Sequence, residues 1–232
     1  MKIHGLQKMT LLDYPTKVAC TVFTATCNMR CPFCHNALLV TKLNPKDAYS
    51  KEEVLKFLES RVGLLDGVCI TGGEPLMQLD IASFLKKIKK MGYSIKLDTN
   101  GSFPDKLKEL VEDGLVDYVA MDIKNCPEKY ETTIGIANFN FENVQKSINF
   151  LINGTIDYEF RTTVVKEFHT EDDIKSIGEL IKGAKKYYLQ NFVDSGNLIG
   201  DNMHALEPET LRKMAEIAKE YVKHVDVRGI QI

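Results

Sequence analysis

The sequence predicts an α/β fold in which parallel strands alternate with helices around an open or partial barrel. Short runs rich in β-branched and aromatic residues alternate with amphipathic stretches from near the start of the chain to its end. This alternation is typical of a parallel sheet with right-handed crossovers. The pattern contains seven candidate strands, which is fewer than the eight of a closed (β/α)8 barrel. Because no linker or change of composition interrupts it, we expect one domain over residues 1–232.

Each element follows from its local pattern. In chain order, strands are predicted over 18–24, 67–71, 94–98, 118–123, 157–165, 186–190 and 224–228. The amphipathic stretches predict helices over 51–60, 81–91, 105–113, 141–153, 172–181 and 209–223. Ser50 precedes the first helix and Glu53 follows three residues later, a capping-box pattern that fixes where this helix begins.

Composition and charge are those of an ordinary globular protein and argue against several classes. The chain has 30 Lys and Arg against 32 Asp and Glu, a net charge of −2, whereas proteins that coat nucleic acids are usually basic. No apolar run approaches the roughly 18 residues of a membrane helix. Residues 1–14 lack the apolar stretch of a signal peptide. We therefore expect a cytoplasmic protein whose partners include neither nucleic acid nor membrane.

Three of the six cysteines lie in one short loop. Cys27, Cys31 and Cys34 have the spacing C-x3-C-x2-C, and Asn28 and Pro32 between them favour a loop. In a reducing compartment, clustered cysteines indicate metal binding or catalysis rather than disulfides. Structural zinc takes four ligands, and no second C-x2-C or H-x3-H completes such a site. An iron–sulfur cluster with one iron left open is therefore favoured over zinc, although the spacing alone does not decide between them.

The other three cysteines have different surroundings. Cys20 and Cys69 lie within apolar strand patterns and are predicted to be small buried hydrophobes. Cys126 falls in a predicted loop, where it is either a fourth ligand or, more simply, an unliganded thiol.

Distinctive groups follow four successive predicted strands. They are, in chain order, the cysteine loop, Gly72-Gly73-Glu74-Pro75, Asp98-Thr99-Asn100-Gly101 and Met121-Asp122-Ile123-Lys124. In parallel α/β folds the chemistry collects at the C-terminal ends of the strands. We therefore expect these groups to form one functional site.

The cysteine loop followed by the Gly-Gly-Glu-Pro turn resembles the radical S-adenosylmethionine enzymes. Within that superfamily, residues 31–36, 97–101 and 121–124 are similar to the glycyl-radical-enzyme activases. The best resemblance is to the anaerobic ribonucleoside-triphosphate reductase activating proteins and the pyruvate formate-lyase activating enzymes. Segments 5–15 and 225–229 favour the first of these two groups.

This resemblance implies a partial (βα)6 barrel that holds a 4Fe–4S cluster on Cys27, Cys31 and Cys34. In the family, the unique iron binds S-adenosylmethionine, and an electron from the reduced cluster cleaves its sulfonium. The resulting 5′-deoxyadenosyl radical takes a hydrogen atom from a backbone glycine of a partner enzyme. The implied partners are thus a glycyl radical enzyme as protein substrate and a reduced flavodoxin- or ferredoxin-type electron donor.

The resemblance also implies roles at the strand ends. Gly72 and Gly73 would hydrogen-bond the methionine amino group of S-adenosylmethionine, and Glu74 would fix their turn. Lys124 would bind its carboxylate. A lysine at the end of a strand and a turn after one are also ordinary features, so these roles depend on the neighbouring cysteine loop.

A monovalent cation, Na⁺ or K⁺, is implied beside the same carboxylate. Its ligands would be Asp98, Thr99 and Asp122, whose hard oxygen atoms suit such an ion.

The remaining implied contacts concern the nucleoside and the protein substrate. Phe33 and His35 would pack against the adenine and the cluster, and Arg161 and Thr163 would lie near the nucleoside. Asp13 matches an acidic residue near the substrate glycine. One departure is the segment 189–192, which lacks the histidine that contacts the ribose in the formate-lyase branch and offers Gln190 or Asn191 instead.

Several alternatives remain open at this stage. The partner could be another glycyl radical enzyme of the formate-lyase type, or the substrate could be a small molecule such as a pterin or nucleoside. Activases with a ferredoxin-like insertion are disfavoured because residues 35–68 contain no cysteine. A non-catalytic iron–sulfur carrier or zinc module is disfavoured, because it would give no role to the Gly-Gly-Glu-Pro turn and the polar residues at the strand ends.

Overall fold

The computed structural model describes residues 1–229, which form eight strands and eight helices. The strands are β1 Ile3–Thr10, β2 Ala19–Thr24, β3 Gly67–Gly72, β4 Ser94–Thr99, β5 Tyr118–Asp122, β6 Asp157–Val164, β7 Lys186–Asn191 and β8 His224–Arg228. The helices are α1 Ala37–Thr41, α2 Lys51–Glu59, α3 Ile81–Lys90, α4 Pro104–Glu112, α5 Tyr130–Ile134, α6 Phe141–Asn153, α7 Glu171–Leu180 and α8 Pro208–Ala218. No helix within 1–229 is long and apolar enough to cross a membrane.

Strand β1 corrects the predicted count of seven strands. It pairs antiparallel with β2, and its register shifts between Ile3 and Gly5 and again between Gln7 and Thr10. Such irregularities break the alternation of buried and exposed side chains along a strand. Residues 7–9 are accordingly all exposed, so the two-residue period that reveals a strand in a sequence is missing here.

The contacts of the chain fall into two compact units, and the first comprises residues 1–28, 38–99 and 103–120. Within it, β2 runs parallel to β3 from Ala19 opposite Gly67, and β3 runs parallel to β4 from Gly67 opposite Ser94. Val22 and Ile70 are fully buried in these strands. The parallel arrangement brings the C-terminal ends of β2, β3 and β4 to one edge of this unit.

The second unit comprises residues 29–37, 100–102 and the chain from Met121 onward. Here β6 pairs parallel with β7, and β7 with β8. Phe160 and Leu189 from these strands and Leu211 from α8 are fully buried. That the chain forms one domain stays a prediction.

The predicted long helices agree with the structure to within two residues at each end, except at the end of α8. The capping box is present, since Ser50 Oγ accepts from the Glu53 amide and Glu53 Oε2 accepts from the Ser50 amide. Helix α8 ends at Ala218 and not at residue 223. Beyond its end, two backbone groups bond to the loop before β7: Lys223 N–H donates to Ala184 O, and Tyr221 O accepts from Gly183 N–H. Helices α1 and α5 were not predicted, because five residues are too few to show a helical period.

Candidate active site

The cysteine loop connects β2 to α1 without regular secondary structure. All three of its thiols are free of disulfides; Cys31 is buried and Cys27 and Cys34 are half-buried. Cys34 N–H donates to Cys31 O at 3.1 Å and closes a tight turn. Cys27 belongs to the first compact unit, and Cys31 and Cys34 belong to the second.

In the first unit, the Gly-Gly-Glu-Pro turn is bonded directly to the backbone that leads into the cysteine loop. Gly73 N–H donates to Thr24 O, and Glu74 N–H donates to Thr26 O, both at 2.8 Å. A Cβ on Gly73 would lie 1.9 Å from Thr26 O, and Gly72 has φ of +113° with Thr24 O at 2.3 Å from its missing Cβ. The two glycines are therefore required by the close approach of the backbone that leads into the cysteine loop.

 Sequence alone shows the order of the two motifs, and the structure shows that they are in direct backbone contact.

Alanine at position 73 is expected to destabilise the protein strongly, because its Cβ overlaps a backbone carbonyl that no side-chain rotation can move. We expect a loss of about 3 kcal/mol in the free energy of unfolding, or roughly 6–12 °C in Tm. Gly92→Ala is the matched control: Gly92 has φ of +91° but nothing within 4 Å of its missing Cβ, so only about 1 kcal/mol of backbone strain is expected. Equal losses in the two variants, measured by thermal unfolding, would contradict the close packing at Gly73.

Glu74 ties the ends of β3 and β4 together. Its side chain is fully buried, and its Oε1 accepts from Leu76 N–H at 3.0 Å and from the Thr99 hydroxyl at 2.9 Å. Both hydrogen bonds lie within the first unit. Glu74 thus stabilises the turn through the Leu76 amide and also engages the side chain of Thr99, and its role at a ligand site stays a prediction.

Lys96 is a charged residue of this unit that the sequence analysis did not single out. Its side chain is 2% exposed, its ammonium is paired with the Asp98 carboxylate, and it lies 3.8 Å from Cys69 Sγ. The signal that could have found it is the alternation of β4, in which Ser94, Lys96 and Asp98 share one face between apolar neighbours. Asp98 therefore ends its strand beside an internal cation.

In the second unit, Asp122 is held between two cations. Its Oδ2 is 2.9 Å from Lys124 Nζ and its Oδ1 is 2.9 Å from Arg161 Nε. Burial by itself would raise the pKa of Asp122, but the two neighbouring cations hold that pKa well below its usual range. Burial would likewise lower the pKa of Lys124, and the Asp122 carboxylate instead raises it above the ordinary value. The three side chains form one ionised group at the ends of β5 and β6.

The two rings of the cysteine loop pack against other parts of the second unit. Phe33 contacts Phe168, with ring centroids 5.6 Å apart, and His35 stacks on Phe192 at 6.0 Å. His35 Nε2 also lies 2.8 Å from Val193 O, in the loop that follows β7. The cysteine loop is therefore fastened to the end of β7, the segment where the expected ribose histidine is absent.

The other predicted residues lie as follows. Thr163 is opposite Gln190 in the register of β6 and β7. In the first unit, Asp13 Oδ2 accepts from the Thr21 hydroxyl at 2.5 Å. Cys20 and Cys69 are fully buried within β2 and β3.

Cys126 is bonded within the second unit. Its Sγ donates to Asp173 Oδ1 at 3.4 Å, and Asp173 is paired with Lys129 at 2.7 Å. Burial raises the pKa of the Cys126 thiol to about 11. These contacts account for a buried, protonated thiol.

The donor set of the cysteine loop fits the implied iron–sulfur cluster in kind. Three thiols within eight residues offer the ligand type that such clusters take, and the loop has no helix or strand that would hold them apart. Burial raises the pKa of the Cys34 thiol, whereas the Asn36 amide and the Lys124 cation lower it. Within residues 1–229, no three His, Cys, Asp or Glu side chains are grouped for a single metal ion.

Comparisons with known proteins agree with this chemistry. The family model described as the Radical SAM superfamily matches residues 21–181. A protein of Methanocaldococcus jannaschii, provisionally named a glycyl-radical enzyme activating enzyme, is 31% identical over 98% of this chain and 96% of its own length.

Two solved structures share the fold. A domain of the pyruvate-formate lyase-activating enzyme from Bacteroides vulgatus has a TM-score of 0.58 at 19% identity, covering 70% of this chain and 99% of that one. Streptococcus suis SuiB bound to S-adenosylmethionine has a TM-score of 0.70 at 14% identity, covering 90% of this chain and 49% of that one. These likenesses confirm the predicted α/β class with a parallel, partial-barrel sheet.

Proposed function

Because the chain belongs to the radical S-adenosylmethionine superfamily, and within it to the glycyl-radical enzyme activating enzymes, we propose that it installs a glycyl radical in an anaerobic ribonucleoside-triphosphate reductase. The family binds a 4Fe–4S cluster and S-adenosylmethionine, and its members are enzymes whose protein substrates are glycyl radical enzymes. The proposed reaction cleaves S-adenosylmethionine reductively and removes one hydrogen atom from a glycine of the partner.

The observation that carries this proposal is the backbone junction between the cysteine loop and the Gly-Gly-Glu-Pro turn. Gly73 and Glu74 donate to the carbonyls of Thr24 and Thr26, immediately before Cys27. An ordinary turn after a strand is not expected to be hydrogen-bonded to the entry of a three-cysteine loop. The junction therefore supports a shared site for a cluster and its ligand.

We assign the roles of the chain as follows. A reduced cluster would supply the electron that cleaves the sulfonium of bound S-adenosylmethionine. Its ligands would be the thiols of Cys27, Cys31 and Cys34, and the backbone of the Gly72-Gly73 turn would hold the methionine amino group.

The side chains of the second unit would orient the rest of the bound molecule. Lys124 would bind the methionyl carboxylate, with Arg161 and Thr163 near the nucleoside and Phe33 and His35 at the adenine. Asp122 positions Lys124 and Arg161, because its two carboxylate oxygens bond one cation each.

Replacing Lys124 with alanine is expected to weaken S-adenosylmethionine binding about tenfold while the iron–sulfur absorbance is kept. A hydrogen bond between charged groups contributes about 1.5–3 kcal/mol, which is tenfold or more in Kd. The measurement is S-adenosylmethionine binding to the reconstituted, oxidised protein by calorimetry. Lys129→Ala is the control, because it removes another lysine from an aspartate pair in the same unit. Equal affinities of the two variants would remove Lys124 from the binding site.

The identity of the partner is supported by the similarity of segments 5–15 and 225–229 to the reductase activating proteins. In the first unit, Asp13 is oriented by the Thr21 hydroxyl and is the residue we assign to the neighbourhood of the substrate glycine. We further propose a reduced flavodoxin- or ferredoxin-type donor and a cytoplasmic setting, in which the six cysteines stay reduced. The Na⁺ or K⁺ ion implied by the resemblance stays a prediction.

The proposed function is tested by anaerobic reconstitution with iron and sulfide, followed by dithionite reduction with S-adenosylmethionine and the candidate reductase. We expect 5′-deoxyadenosine by chromatography and a glycyl doublet by electron paramagnetic resonance. A reductase whose radical glycine is replaced by alanine is the control and should give no doublet.

The same experiment separates the alternatives. Deoxyadenosine without a doublet would overturn this partner and favour a formate-lyase-type enzyme or a small-molecule substrate. Absence of both products, from protein that holds a cluster, would favour an electron carrier.

A further inference from the structure

Lys96 places a buried positive charge beside Asp98 in the first unit. The two residues lie on the same face of β4, and Lys96 is opposite Cys69 in the register with β3. Lys96 is 2% exposed and the Asp98 side chain 14% exposed. The ammonium therefore has little water around it and depends on the carboxylate for its stabilisation.

Stability alone gives little reason to keep such a pair. Removing two charges from water costs several kcal/mol per ion, and a well-packed apolar pair of similar volume is often as stable. The Lys96 side chain is itself buried, so an apolar side chain of similar size would meet almost no water at this position. A charged pair at the end of this strand is better explained by a need for its charge.

The oxygen atoms that the resemblance assigns to a bound Na⁺ or K⁺ already contact groups of the chain itself. Asp98 accepts from Lys96, and the Thr99 hydroxyl donates to Glu74. Asp122, in the second unit, is paired with both Lys124 and Arg161. Each of the two carboxylates thus has a cation supplied by the chain.

We propose that the Lys96 ammonium supplies, beside Asp98, the positive charge that the resemblance assigns to a monovalent cation, so that this protein works without bound Na⁺ or K⁺. An ammonium group is close to K⁺ in size and charge, and it is tethered, so its local concentration does not depend on salt. The inference rests on the proposed S-adenosylmethionine site for its purpose, but it can be tested without turnover.

The first measurement uses the full-length wild-type protein. Its Tm, and after reconstitution its affinity for S-adenosylmethionine, are compared in KCl, NaCl and choline chloride at equal ionic strength. We expect the same values in all three salts. A wild-type protein that binds S-adenosylmethionine at least tenfold more tightly in KCl or NaCl would overturn the proposal.

The second measurement uses Lys96→Ala, which removes the ammonium that pairs with the Asp98 carboxylate and leaves the space of the lost side chain beside it. We expect this variant to become cation-dependent, with Tm rising by roughly 3–5 °C for each tenfold increase in KCl or NH4Cl above the Kd of the new site. Choline chloride should give no such rise. Lys86→Ala is the control, because Lys86 is a lysine of the same unit whose ion pair with Asp113 is exposed to solvent.

A double variant identifies the carboxylate that is responsible. Lys96→Ala combined with Asp98→Asn should lose the response to KCl and NH4Cl, because the site no longer carries a charge to bind them. A Lys96→Ala protein whose Tm responds to cations no more than that of Lys86→Ala would overturn the proposal. If Lys96→Ala does not fold in any salt, the comparison of the wild-type protein in the three salts decides whether the proposal stands. Since Tm requires neither cluster nor partner, failure of the activase reaction would leave this result interpretable.

Discussion

Replacing Cys31 with alanine is expected to abolish both the iron–sulfur absorbance and S-adenosylmethionine cleavage, with at least a hundredfold loss of 5′-deoxyadenosine. Cys31 is a buried thiol in a loop that offers three, and two remaining thiolates leave a second iron without a protein ligand. The measurements are visible absorbance after anaerobic reconstitution and chromatography after reduction. A Cys31→Ala protein with a normal cluster would exclude this residue as a ligand.

Two other cysteines provide controls for this prediction. Cys20→Ala removes a fully buried thiol from β2 and should keep the cluster, with only a modest loss of stability. Cys126→Ala should keep it too, because the Cys126 thiol is bonded to Asp173. Loss of the cluster in Cys126→Ala would make Cys126 a fourth ligand.

Replacing Asp122 with asparagine is expected to lower both stability and affinity for S-adenosylmethionine. The substitution keeps the shape but removes the charge that pairs with Lys124 and Arg161, leaving two partly buried cations side by side. We expect a loss of about 2 kcal/mol, or roughly 4–8 °C in Tm, and about tenfold weaker binding. Thermal unfolding and calorimetry measure the two effects.

The pH dependence gives a second check on Asp122. Its pKa is lower in the folded protein than in the unfolded chain, so its contribution to stability is fully present above the unfolded pKa of about 3.9 and is lost as pH falls towards the folded pKa. The difference between wild type and Asp122→Asn should therefore be constant from about pH 5 to pH 8 and narrow in acid. Asp113→Asn is the control, since its pair with Lys86 is exposed and should contribute about 0–1 kcal/mol. A change at Asp122 no larger than at Asp113 would show that the ion group is not a structural element.

The elements that sequence predicts well are those with a regular local pattern. Strands β2, β3 and β5 are short continuous apolar runs, the long helices carry a helical apolar period, and the capping box formed by Ser50 and Glu53 marks one helix start to the residue. Strand β1 was not predicted, because its register shifts remove the two-residue alternation of buried and exposed side chains. The end of α8 was predicted too late in the chain. The Lys223 amide and the Tyr221 carbonyl bond to residues 183–184, and no local sequence pattern records this contact.

The features of the candidate site likewise differ in how far they could be predicted from sequence. The cysteine spacing and the Gly-Gly-Glu-Pro turn are each a short contiguous stretch of the chain, so the family, and with it the cluster that the family implies, could be predicted from sequence, as could the α/β class. Which charges pair with one another is set by the tertiary fold. It paired Asp98 with Lys96, Thr99 with Glu74, and Asp122 with two cations. Partners on different strands are chosen by register and burial, and a buried charge must find its counterion in space wherever the chain supplies one.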